Sequence, residues 1–91
     1  MIAEKIQETK EMKATTDNHL SWCAEQVAKN MTESEIREFA AEAGTSRFPG
    51  TVRNAYDGIN AKGEPVADQA YWQREIIRMV ASWIINTITR Q

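Results

Sequence analysis

The chain has one histidine and one cysteine, His19 and Cys23. At a spacing of four on a helix they would be surface neighbours, the arrangement of an imidazole base beside a thiolate nucleophile. That chemistry needs a third, orienting group and an oxyanion site, and a metal centre would need two further ligands. No local spacing supplies either, so Cys23 is expected as a small core residue and His19 near a helix start. Glu4 with Glu8, and Glu35 with Glu38 and Glu42, are paired carboxylates of the type used in acid–base catalysis. Such chemistry requires one acid desolvated in an apolar cleft, and these fall on polar helix faces. A glycine-rich phosphate loop, HExxH and GxSxG are all absent. The expectation is a non-enzyme without cofactor or metal.

Candidate binding residues come from a different pattern. Leu20, Cys23, Val27 and Met31 define one apolar helix face, and Trp22 points about 200° away from it, beside Glu25 and Lys29. An exposed tryptophan is a residue type that anchors protein interfaces, and a cover of Ile2 and Ile6 from the N-terminal arm is the alternative. Glu35, Glu38 and Glu42 line a second surface, a negative ridge that would suit a basic partner. On the most apolar segment, Ile77, Ile84, Ile85 and Ile88 are candidate contacts for a second copy of the chain.

The elements that must position these residues read as helices. With 91 residues, 42% hydrophobic and 26% charged, there is room for one domain and one core. Residues 1 to 14 alternate charges with Ile2, Ile6 and Met12, which predicts a helical but loosely held arm. Thr16 or Asp17 is expected to cap a second helix that ends near Asn30. Thr32 and Glu35 form a capping box for a third, whose buried face is Ile36, Phe39, Ala40 and Ala43 and whose stop is Gly44. Arg47 to Gly50 is expected as a turn, followed by a fourth helix on Val52, Ala55, Tyr56 and Ile59 that runs to Lys62-Gly63-Glu64-Pro65. The last, roughly 66 to 89, is apolar over more than half its circumference, with Arg74, Arg78, Ser82 and Asn86 as a narrow polar stripe. The fold class is therefore all-α: a bundle of four to five helices with the long C-terminal helix at its centre.

Charge narrows the partners. A net charge of −2 argues against general affinity for nucleic acid or anionic membrane. The distribution is uneven: residues 1 to 46 hold five Lys or Arg against nine Asp or Glu, and residues 47 to 91 hold six against four. Such asymmetry can orient a partner. The apolar run 76 to 88 is too short for a bilayer span, and the single cysteine excludes an internal disulfide. With no secretion-type leader pattern, the cytoplasm is the expected compartment.

The segment IREFAAEAGTSRFPGTVRNAY, Ile36 to Tyr56, resembles the helix-turn-helix of bacterial repressors. Phe39, Ala40, Ala43 and Gly44 match the first helix and turn, and Thr51 to Ala55 the recognition helix, with two extra residues near Phe48-Pro49. The resemblance implies a dimeric DNA-binding regulator with Arg47, Thr51, Arg53 and Asn54 at phosphates and base edges. In size and acidity the chain is also similar to small phage and mobile-element proteins that block host defence machinery such as CRISPR surveillance complexes. That likeness implies an inhibitor or adaptor of a protein or nucleic-acid-bound complex in a bacterial cytoplasm. The leading expectation is such a protein-binding module, and the DNA-binding regulator is the alternative.

Overall fold

The computed structural model describes all residues, Met1–Gln91. Five helices follow one another: α1 (Ile2–Thr16), α2 (Leu20–Lys29), α3 (Glu33–Ala43), α4 (Arg47–Val52), which continues as a π-helical turn over Arg53–Asp57, and α5 (Gln69–Thr89). There is no strand, only an isolated antiparallel bridge between Ile59 and Pro65. The expected all-α bundle is what forms, and α5 packs against every other helix.

α1 is docked along the bundle, not loosely held. Ile2, Ile6 and Thr9 are buried on one face and Met12 packs against the core. Thr9 is the member that hydropathy overlooks. Its hydroxyl donates to the Lys5 carbonyl at 2.8 Å, which satisfies the polar atom and frees the methyl to pack. Asp17, at φ 59, ends α1 in the left-handed region. The expected N-cap at Thr16 or Asp17 is therefore corrected: α2 starts at Leu20, with His19 at its N-cap and no side-chain cap bond.

α3 is bounded as its sequence requires. The Thr32 side chain accepts from Glu35 N–H at 3.1 Å, the Glu35 carboxylate accepts from Thr32 N–H at 2.9 Å, and Gly44 takes φ 66 at the C-cap. α4 departs from expectation. Its helix begins at Arg47, so Phe48, Thr51, Val52 and Ala55 face inward. Pro49 falls within the first turn, where a missing N–H costs nothing, so it does not mark a turn outside the helix.

The same helix also stops early, at Gly58 (φ 71) instead of Lys62. Beyond it, the Asn60 side-chain oxygen accepts from Lys62 and Glu64 N–H at 2.9 and 3.0 Å. Val66 N–H then donates to the Gly58 carbonyl at 2.9 Å, which closes the loop. The Ala55 carbonyl is satisfied by two α5 side chains, Gln69 Nε2 at 2.9 Å and Gln73 Nε2 at 3.1 Å. Asp68 caps α5 by accepting from Tyr71 N–H at 3.1 Å.

The core lies between α5 and the other helices. Ile76, Val80 and Ile84 are fully buried with Ile36 and Phe39. Phe39 meets Phe48 and Trp83 edge to face, at centroid distances of 6.2 and 5.6 Å. Side chains of this size contribute roughly 1.5–3 kcal/mol each on full burial. Ile84 is thus a core residue, which corrects its expected place in a dimer contact. Ile77, Ile85 and Ile88 are half-buried against the same cluster.

Candidate functional site

The residues of catalytic type are dispersed. Cys23 is fully buried, and its nearest polar partner is the Thr16 hydroxyl at 3.9 Å. His19 is exposed at the start of α2, and no hydrogen bond joins it to the thiol. No three His, Cys, Asp or Glu side chains converge in a geometry that could hold a metal ion.

Two of the three carboxylates of the acidic ridge are occupied internally. Glu35 serves the capping box and pairs with Lys5 Nζ at 3.1 Å; Lys5 also pairs with Glu8 at 2.9 Å. Glu42 lies 3.5 Å from the N-terminal ammonium and accepts from Ile2 N–H at 3.3 Å. These contacts fasten α1 along α3. The Thr32 backbone hydrogen bond, followed by Lys5, holds the Glu35 carboxyl below its ordinary pKa. For Lys5, burial works against the charge, but hydrogen bonds to Glu8 and Glu35 outweigh it and raise the pKa. Glu38 alone of the ridge is exposed without an ion-pair partner.

The residues expected to contact DNA do not share one open face. Arg47 is exposed, whereas Thr51 is buried with its hydroxyl donating to the Arg47 carbonyl at 3.1 Å. This corrects Thr51 as a base-reading residue: it lies on the packed face of the helix with Phe48, Val52 and Ala55. Arg53 and Asn54 are half-buried, and Arg53 Nε and Asn54 Oδ1 are enclosed without a protein partner. Close by, Arg37 is committed elsewhere. It bridges Glu33 at 3.1 Å and Asp57 at 2.8 Å, with its guanidinium carbon 5.7 Å from the Tyr56 ring centroid. Those hydrogen bonds, to Asp57 first, raise its pKa.

Trp22 is 43% exposed and Tyr71 45%, the two large apolar side chains that the fold leaves most open. Ile2 and Ile6 are in the core, so they leave Trp22 uncovered. Between α2 and α5 runs an open groove of about 490 Å³, with Glu25 and Lys29 on one wall and Ala70, Arg74, Ile77 and Arg78 on the other. Trp22, Glu25 and Lys29 recur at i, i+3 and i+7 on α2, and Tyr71, Arg74 and Arg78 do so on α5, so each aromatic shares a helix face with wall residues. No known protein family, curated protein or solved structure matches the chain. The site therefore stands on its own geometry.

That geometry joins residues that the sequence separates. Glu25 and Lys29, expected at one surface with Trp22, line the same groove as Ile77, expected at another. Tyr71, Arg74 and Arg78 were missed as site residues. Their i, i+3, i+7 spacing was available as a signal, but only the packing of α2 on α5 turns two polar stripes into the walls of one groove.

Proposed function

We propose that this chain is a non-catalytic protein-binding module that acts through the face of Trp22 and the α2–α5 groove, as an inhibitor or adaptor of a larger partner. The observation that carries this reading is Trp22: an indole 43% exposed on the helix that supplies Glu25 and Lys29 to the groove and buries Cys23, Ala24, Val27 and Ala28 on its other side. Burying an exposed tryptophan and its rim at an interface commonly contributes about 2 kcal/mol or more. An interface of about 800 Å² per partner is within reach of a domain this size. Glu38 and the exposed acids of α1 would lie outside that contact and affect the rate of encounter more than the lifetime of the complex.

Affinity purification from host lysate, with and without nuclease, tests the reading against Trp22→Ala. Recovery of a nuclease-resistant protein partner by the parent chain, and its loss with the variant at unchanged melting temperature, is the expected result. Recovery of nucleic acid alone, or equal recovery by both chains, overturns it.

A further inference from the structure

The charges around the groove specify more than an apolar contact. Lys29, Arg74 and Arg78 surround it against a single carboxylate, Glu25. Lys29 and Arg74 are exposed and have no intramolecular ion pair, and Arg78, 75% exposed, holds Glu75 only at 3.4 Å. In a chain of net charge −2 this is a local excess of open cations. The groove on the other side of α2, against α1, differs: it carries Glu8 and Glu11, and its one cation, Lys5, is already paired.

Ala70 and Ile77 are the apolar residues of the lining, Ala70 exposed and Ile77 half-buried, and the accessible lining is mostly carbon, as where long cationic side chains lay their methylene stems along a surface. We infer that the α2–α5 groove takes an acidic peptide segment of a partner protein: one aliphatic or aromatic side chain seats over Ala70 and Ile77, and flanking carboxylates meet Lys29, Arg74 and Arg78. Guanidinium groups suit this role because their planar fork binds carboxylate in two parallel hydrogen bonds. The apolar lining residues favour a peptide over a phosphate backbone, which offers no aliphatic side chain to seat on them. This inference rests on the protein-binding reading and adds the chemistry of the partner.

The test is selection of a random 12-residue peptide display library on the purified full chain, repeated on the double variant Arg74→Glu, Arg78→Glu. Circular dichroism checks that the variant folds, and a labelled 20-nucleotide single-stranded DNA runs in parallel. Enrichment of peptides with net negative charge and at least one large apolar residue supports the inference, provided the double reversal weakens them about tenfold or more and added salt weakens them further. Peptides without acidic bias, peptides unaffected by the reversal, or no enrichment all overturn it. The protein-binding reading still stands in those cases if the Trp22-dependent partner is captured. Binding of the DNA probe that is lost on reversal also overturns it, in favour of a nucleic-acid ligand.

Discussion

Ile84→Ala is the perturbation that most sharply separates a core role from a surface one on α5. The side chain is fully buried, on the stripe it shares with Ile76 and Val80. Removing three carbons at about 0.8 kcal/mol each costs about 2.4 kcal/mol, and the cavity left behind raises the loss to about 3–4 kcal/mol. A domain of this size has roughly 5–13 kcal/mol of stability in all, so at least about a quarter of it disappears. Near the transition each kcal/mol corresponds to about 4–8 °C, which places the melting temperature about 12–30 °C lower. Urea titration followed by far-UV circular dichroism measures the loss directly, with the m-value expected to stay constant. A loss under about 1 kcal/mol, accompanied by a change in oligomeric state, would refute the reasoning and return Ile84 to an interface.

Other expectations follow from the caps, the turns and the ion pairs. Thr32→Ala removes a reciprocal capping bond and should cost about 1 kcal/mol in a chemical denaturation series. Gly44→Ala and Gly58→Ala both place a side chain at positive φ. A Cβ at Gly44 meets open space, whereas one at Gly58 approaches Gln69 Oε1 at 3.3 Å and presses on the side chain that holds the Ala55 carbonyl. The Gly58 variant should therefore melt lower, with the Gly44 variant paying only the backbone cost of about 1 kcal/mol. Because the Glu35 pKa is lowered by folding, its contribution is complete above the ordinary glutamate range, roughly pH 4–5, and is lost as pH falls through the depressed value. Glu35→Gln can keep the capping box and lose the pairing charge, so stability measured against pH should fall less steeply for the variant across that acidic window.

The architecture was legible where one physical rule governs a boundary. The capping box at Thr32 and Glu35, the left-handed stop at Gly44 and the breadth of the apolar arc on α5 each follow from local chemistry. Legibility failed where a distant element decides. Thr9 reads as polar until its hydroxyl is seen bonded within α1, so hydropathy alone undercounts the buried face of that helix. Pro49 reads as a turn residue, yet it is equally at home in the first turn of a helix. Gly58 ends its helix where Gln69 and Gln73, arriving from α5, bind the Ala55 carbonyl. Within the site, the exposure of Trp22 follows from helical phase alone. The meeting of Glu25 and Lys29 with Arg74 and Arg78 depends on how α2 packs against α5, which no local spacing records.

The central claim is that this chain binds a protein through Trp22 and the groove beside it. Isothermal titration of the captured partner against the parent chain and Trp22→Ala, with melts of both, tests it most directly. Roughly a thirtyfold or greater loss of affinity, about 2 kcal/mol, is expected, with melting temperatures within about 4 °C of each other. Equal affinities would rule out Trp22 as the anchor, and so would a collapse in melting temperature large enough to explain the loss by unfolding.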